Sequence, residues 1–434
     1  MSSSSCSKRP DAAAWRLAAY GLLGMPLAMA ALPVYVQVAS YYSAVRGVGL
    51  AQVGWILFAA RLFDTLQDPL LGHVIDRLRG GMMRWMALSG LLLALAFAGL
   101  WQPPTPVLAA SWWLAAMLAL AYGAHSMLNI AYLAWGARLP SGAAQPGAAL
   151  LPAAAWREGA GLAGMVVASV IPAAVMSGPA AGIATGMGLY SLAFAALLLL
   201  ALLALLRLAP AWPVAQQPAQ HWRAALRRVA ANRSFRRLLV PYFLNACSVS
   251  LPATLALFFI SDQLRAAPLA GAFLGCYFVA AACALPLWTA LARRIGVLSC
   301  WRLGMGLAIA SFAGAALLGQ GDVLSYFAVC LAAGAALGAD LAMPPVLLAG
   351  MIPPDEPAGA YYGVLTLAGK LALALSGLAL PLLAMLGYRP GLPGGLALAL
   401  VYAALPCTLK LLAMATLWRG LPSTFPVPPY RSSP

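Results

Sequence analysis

Charge is what this sequence lacks. Of its 434 residues 8% are Asp, Glu, Lys or Arg, and ten are acids. So few charges cannot cover a water-facing surface, which excludes a soluble globular protein and, with it, a soluble nucleic-acid-binding domain. Histidine is scarce as well, at three residues, and the seven cysteines (Cys6, Cys247, Cys276, Cys283, Cys300, Cys330, Cys407) contain no C-x-x-C pair. No metal centre or disulfide framework is expected, and the cysteines read as small core residues. A Gly-rich phosphate loop, an H-E-x-x-H pair and a Ser/His/Asp set of recognisable spacing are also missing. No cofactor is expected, and the chain is not read as an enzyme.

What the sequence has is hydrophobicity: 63% of it is apolar, with a mean hydropathy of +0.87. A membrane helix needs roughly 20 apolar residues. Twelve such segments fall near 14–42, 51–75, 84–101, 107–137, 153–176, 181–206, 238–261, 267–292, 301–320, 323–351, 359–387 and 394–418. They are Ala/Leu/Gly runs rather than ten-residue alternations, so an all-α membrane bundle is expected and a barrel is not. Pro26, Pro33, Pro252, Pro286, Pro344 and Pro345 lie inside segments, where neighbouring helices can satisfy the freed backbone groups.

Basic residues divide unequally between the two sides of this layout. Lys8, Arg9, Arg16, Arg77, Arg79, Arg84, Arg138, Arg293, Arg294, Arg302, Arg419 and Arg431 share one side with the arginines of 207–237, against Arg46, Arg265 and Arg389 on the other. The positive-inside rule puts both termini in the cytoplasm, in a multi-pass protein of the cytoplasmic (inner) membrane. The polar opening "MSSSSCSKRPDAAAWR" carries no cleavage site and reads as a cytoplasmic tail. Residues 207–237 hold seven arginines, three prolines and no acid, and separate six segments from six. The expected organisation is an N-terminal half (1–206), a basic cytoplasmic linker (207–237) and a C-terminal half (238–434), the two-half layout of major facilitator transporters. Within the linker, "HWRAALRRVAANRSFRR" is either an amphipathic helix on an anionic membrane surface or, the reading preferred on sequence alone, a solvated loop.

Against this background each intramembrane charge demands a reason, since placing one at the bilayer centre costs about 2.5–3.5 kcal/mol on insertion scales. Arg61, Asp64 and Asp68 fall in the second segment, within "ARLFDTLQDPLLGHVIDR". Four residues apart, the two acids point about 40° from one another on one helix face. Two carboxylates that close ionise together only with a cation between them, so they would share a proton or bind Na⁺. The structural alternative is a buried Arg61–Asp64 ion pair with Asp68 capping a neighbour. Lys370, one of three lysines, sits mid-segment in "LTLAGKLALALSG", too deep to snorkel, and could answer a segment-two carboxylate across the interface between halves. Lys410 lies nearer a helix end, where snorkelling or a local contact would suffice. Asp340 either lines the cavity in the second half or answers a buried donor. His125, one turn before Asn129, either lines a cavity or packs between helices.

The same stretches resemble a known family. "ARLFDTLQDPLLGHVIDR", preceded by "YGLLGMPLAMAALPVYV" and "YYSAVRGVG", is similar to the glycoside-pentoside-hexuronide:cation symporters, the melibiose-permease branch of the major facilitator superfamily. So are "NIAYLAWGARL" (129–139), "WREGAGLAGMVVASVIP" (156–172), "GADLAMPPVLLAG" (338–350) and "YYGVLTLAGKLALALSG" (361–377), in chain order. The resemblance implies cation-coupled transport of a small organic solute by alternating access. It assigns Asp64 and Asp68 to the cation site, Lys370 to coupling and Ser126 to a cation-site hydroxyl, and places Arg157 near the cavity. "GHVIDRLRGGMMR" fits the superfamily loop G-x-x-x-D-R-x-x-G, so Gly72, Asp76, Arg77 and Gly80 would hold the cytoplasmic gate.

The departures from the family pattern matter as much. Where the sugar permeases carry sugar-holding acids this chain has Ala28 and Asn129. Leu133 replaces the stacking aromatic, with Trp135 two residues on, and Gln67 stands where sodium-using members have Asn. Without those acids a melibiose-like substrate loses its charge-assisted bonds to paired hydroxyls. A less polar or differently hydroxylated solute is expected, and an amphipathic one stays open because lysolipid carriers belong to the wider branch. Fewer anionic ligands favour H⁺ over Na⁺ as the coupling ion. The cavity residues are then Ala28, Asn129, Trp135, Arg157, Tyr362 and Asp340, Tyr362 being included for its position before Lys370. Membrane lipid is the other expected partner, and no obligate protein partner is evident. "DTLQD" also superficially resembles the aspartate pair of membrane prenyltransferases, but that chemistry needs a second facing acidic cluster, and only Asp340 and Glu158 are placed in other segments.

Overall fold

The computed structural model describes residues 10–77, 81–104, 107–137, 150–208, 222–353 and 358–420. The described residues form helices joined by short turns. In the first half these are α1 (Pro10–Gly21), α2 (Gly24–Ser40), α3 (Leu50–Arg77), α4 (Met82–Leu100), α5 (Val107–Ala137), α6 (Leu150–Met176) and α7 (Ala180–Leu208). A short α8 (Trp222–Ala231) precedes the second half: α9 (Arg233–Phe258), α10 (Ala270–Ile295), α11 (Val297–Ala315), α12 (Val323–Ala349), α13 (Ala358–Ser376), α14 (Ala379–Met385), α15 (Gly395–Ala399) and α16 (Leu405–Gly420). Helix pairs α1/α2, α13/α14 and α15/α16 each act as one broken crossing.

Among the described residues eleven helices are long and apolar enough to cross a membrane. The twelfth crossing is α3, which Arg61, Asp64, Asp68, Asp76 and Arg77 keep from being uniformly apolar. Its charge is the reason a composition test passes over it and the reason it is informative. Large apolar side chains such as Leu189, Leu199 and Trp112 stand exposed around the bundle, as they must where the solvent is lipid.

Helix α9 begins at Arg233, five residues before the apolar run, because Asn232 caps it. The Asn232 side chain accepts from the Phe235 N–H at 3.1 Å, and its amide donates to the Met351 carbonyl and the Tyr361 hydroxyl. The linker segment preferred above as a solvated loop is helical over Trp222–Ala231. Val229 is buried beside Phe235, Leu238 and Leu347, so α8 packs on the second half through this residue rather than standing wholly in solvent.

The first crossings of the two halves end alike. α2 runs into a π-turn at Tyr41–Val45 and α9 into one at Phe259–Gln263. The first closes with Arg46 N–H to Tyr41 C=O (3.0 Å) and Val48 N–H to Tyr42 C=O (2.9 Å). The second closes with Leu264 N–H to Phe259 C=O (3.1 Å) and Ala266 N–H to Ile260 C=O (3.0 Å). The residue that reverses the chain has positive φ in both, Gly47 at 72° and Arg265 at 55°.

Small residues bring the halves together on the side away from α8. Gly54 at the start of α3 lies under α14, where a Cβ would sit 2.3 Å from Pro381 Cδ, and Gly377 lies on the Phe58 backbone. Gly271 of α10 packs on the Val170 backbone of α6. Close backbone approach at glycine is how membrane helices gain dispersion contact without a hydrophobic driving force.

Candidate functional site

Midway along α3, five side chains from three helices converge. Asp64, 6% exposed, accepts a 2.7 Å bond from Ser126 of α5 and a 3.1 Å bond from the Gln67 amide, both on Oδ1. Its Oδ2 lies 3.1 Å from the Lys370 ammonium of α13. That ammonium is 2.5 Å from Asp68 Oδ2 and donates to the Ser126 hydroxyl at 3.1 Å. The three N–H bonds of Lys370 are thereby divided among two carboxylates and a hydroxyl. The i, i+4 spacing turns both acids toward one point, and the second half supplies the cation that makes their proximity tolerable.

With Lys370 charged and both carboxylates ionised the cluster carries one net negative charge. Asp68 Oδ1 is buried with no hydrogen-bond partner, so one acceptor remains unused. The Lys370 and Asp68 side chains keep 25% and 22% of their surface exposed.

Arg61 turns the other way. Buried to 2% exposure, it sends one amino group to Thr254 (3.3 Å), the Leu373 carbonyl (3.1 Å) and Ser376 (2.9 Å), and the other to the Tyr35 carbonyl (3.3 Å). Thr254 and Ser376 are themselves 2.9 Å apart. No ion pair joins Arg61 to Asp64 among the described residues, which corrects the alternative raised from the sequence. Arg61 is instead a clasp between halves, tying α3 and α2 to α9 and α13.

The other expected positions separate. Asn129 lies one turn beyond Ser126 on α5, half-buried like Ala28 on α2 and Arg157 on α6. Trp135 is buried in the first-half core, and Tyr362, 36% exposed, donates to the Pro345 carbonyl at 3.2 Å. Asp340 answers a buried donor: it lies 2.7 Å from Lys410 and accepts from Trp301 Nε1 at 3.0 Å, within the second half. Lys410, 4% exposed, does not snorkel. His125 lies 3.3 Å from the Leu27 carbonyl, a helix-packing contact. Gly72 falls within α3, while Gly80 and the side chains of Asp76 and Arg77 lie outside the described residues.

Two polar groups escaped the sequence reading. Asp262, in the π-turn after α9, is buried, accepts from the Tyr388 hydroxyl and from Gly391 N–H at 3.0 Å, and ties down the turn before α15. Its signal was available, since a chain with ten acids places each at a cost. The Thr254–Ser376 partners of Arg61 carried no comparable signal, because single hydroxyls are common in membrane helices.

A twelve-crossing helical bundle in two pseudo-symmetric halves, with carboxylates of one half held by a lysine of the other, is a membrane transporter of the major facilitator type. The chain belongs to the MFS/sugar transport protein family, which it matches over residues 17–423. No curated protein matches the sequence. Its fold is that of a point mutant of the nucleoside transporter NupG (TM-score 0.72, 16% identity, 93% of this chain and 99% of that one). It is also similar to a bacterial homologue of the human lysosomal transporter Spinster in an inward-facing, unoccupied conformation (TM-score 0.66, 14% identity, 95% and 96%). A bacterial homologue of the iron transporter ferroportin in its inward-facing state gives a TM-score of 0.63 (18% identity, 93% and 98%). Family and neighbours alike are membrane transporters rather than enzymes.

Proposed function

We propose that this protein couples movement of a small organic solute to a cation, a proton in preference to Na⁺, loaded at Asp64 and Asp68. The observation that carries the proposal is Lys370, an ammonium from the second half within 3.1 Å of both first-half carboxylates. Protonating Asp68 removes one of the two charges that hold Lys370, and so weakens a tie between halves. A site that already contains a fixed cation and carries one net negative charge needs one further monovalent cation for neutrality, and a proton fits where Na⁺ would need several free oxygens.

The placement of contacts supports a reading by alternating access. The glycine seals at Gly54, Gly271 and Gly377 and the Arg61 clasp favour a conformation closed on the side away from α8. If the basic linker is cytoplasmic in the inner membrane, as its arginines suggest, that conformation faces inward. Similarity to the ferroportin homologue supports this, with TM-scores of 0.63 to its inward-facing and 0.56 to its outward-facing state. The Gly72–Gly80 loop would act at the opposite gate.

The solute would occupy the space beside Lys370, near Asn129, Ala28 and Arg157. With Ala28 and Asn129 in place of acids, a solute less dependent on carboxylate–hydroxyl bonds than melibiose is favoured. The iron transporter homologue suggests a metal cargo, but among the described residues no three of His, Cys, Asp and Glu come together, which argues against it.

Proteoliposomes containing a pH reporter test the proposal. Glycosides, hexuronates and lysolipids are offered with and without Na⁺. Proton movement triggered by one class and lost in Asp68→Asn is the expected result. Uptake restored only by Na⁺ would reverse the ion assignment.

A further inference from the structure

At the α8-side end of the first half, away from the carboxylate–lysine cluster, a cleft of about 770 Å³ opens between α1, α6 and α7. Its described lining includes Arg16, Arg207, Trp15 and Trp156 and no acidic residue. Both arginines are exposed, and neither makes an ion pair or hydrogen bond among the described residues. Trp15 and Trp156 are 75% and 50% exposed beside them.

Bare indoles beside two unpaired guanidinium groups make a poor surface in water. At a membrane boundary the same set is complementary to a lipid. Indoles settle at headgroup depth, and guanidinium binds phosphate oxygens two at a time. Small residues, among them Ala18 and Ala160, line the cleft between the polar rim and the apolar helices and leave width for an acyl chain. Basic pockets between membrane helices attract anionic headgroups for this reason.

We infer that this cleft binds an anionic phospholipid, with its phosphate between Arg16 and Arg207 and its glycerol and upper acyl chain against Trp15 and Trp156. The location gives the lipid mechanical purchase. α1 is separated from α2 by a break at Leu22–Leu23, and packs on α6 so closely that a Cβ on Gly21 would lie 2.6 Å from Trp156 Cβ. A headgroup held by Arg16 of α1 and Arg207 of α7 fastens the first short helix of the broken crossing to the rest of its half. This site is separate from the coupling cluster and does not depend on which ion or solute is moved.

The test uses full-length protein, delipidated in detergent and titrated with phosphatidylglycerol or phosphatidylcholine while native mass spectrometry counts bound lipid. A diazirine-bearing phosphatidylglycerol maps the contact. Phosphatidylglycerol binds more tightly than phosphatidylcholine and cross-links to peptides of α1 and α6. Arg16→Gln and Arg207→Gln each weaken phosphatidylglycerol about fivefold and leave phosphatidylcholine unchanged. Both side chains are exposed, so the variants keep the wild-type melting temperature, and lysine at either position restores part of the affinity. Equal binding of the two lipids, undiminished phosphatidylglycerol affinity in the double variant, or equally effective displacement by inorganic phosphate would each overturn the assignment, the last by marking a bare anion site.

Discussion

Replacing Lys370 by Met asks whether its charge, rather than its packing, holds the two carboxylates together. The ammonium lies 2.5 Å from Asp68 and 3.1 Å from Asp64. At an effective dielectric of about 20 each contact has a gross attraction of about 5–7 kcal/mol. Measured losses on removing one member of a buried pair are smaller, about 3–5 kcal/mol, because the ions regain hydration or stay buried alone. The Lys370 and Asp68 side chains are 25% and 22% exposed, so water enters and the expected cost falls to about 2–3 kcal/mol. A double-mutant cycle isolates the charge. Lys370→Met strands two facing carboxylates, Asp68→Asn leaves the ammonium on Asp64, and the double variant leaves Asp64 with Ser126 and Gln67 alone. Thermal unfolding in detergent at neutral pH and low salt reads each state. Lys370→Met melts several degrees below wild type. Asp68→Asn costs little. The double variant is more stable than Lys370→Met, with an interaction energy of about 1–3 kcal/mol. Strict additivity would show that the charges do not communicate and would refute the reasoning.

Three further outcomes follow from the same geometry. Lys410→Met leaves Asp340 charged at 6% side-chain exposure and lowers stability by about 3–5 kcal/mol, whereas Lys410→Met with Asp340→Leu recovers most of it, as thermal unfolding will show. Gly54→Val drives a side chain into Pro381 and loosens the seal away from α8, so a cysteine placed at the fully buried Leu380 becomes more reactive to a membrane-impermeant maleimide. Burial first, then the bond to Asp262, pushes the Tyr388 phenol above its ordinary value of 10.0. The folded state therefore holds that proton when the unfolded state has lost it, and stability falls as pH rises above about 10. Tyr388→Phe removes this alkaline loss, measured as melting temperature against pH.

The sequence revealed crossings and rare charges for the same reason: in lipid an apolar run is permitted and an ion must be explained. Asp64, Asp68 and Lys370 were therefore legible, and their i, i+4 spacing already fixed one face. Partnership across long separations was not. Asp340 and Lys410 read as two separate puzzles because α12 and α16 meet only in three dimensions. Arg61 lies on nearly the same stripe as Asp64, yet the long side chain reaches hydroxyls of the other half, a choice that periodicity cannot make. The linker was misread because seven arginines hide the apolar face that seats Val229.

The matching π-turns at Tyr41–Val45 and Phe259–Gln263 supply a register between the halves that side chains no longer show. Aligned on those turns, Asp64 and Asp68 fall opposite Ala282 and Pro286. The backbone is duplicated while the carboxylates are not. A machine with twin frames therefore carries its ionic load on one frame and its fixed countercharge on the other. Under the proposed coupling, neutralising that load would change the bond between the frames without a matching change in both, and this asymmetry would give a single captured cation a direction in which to act.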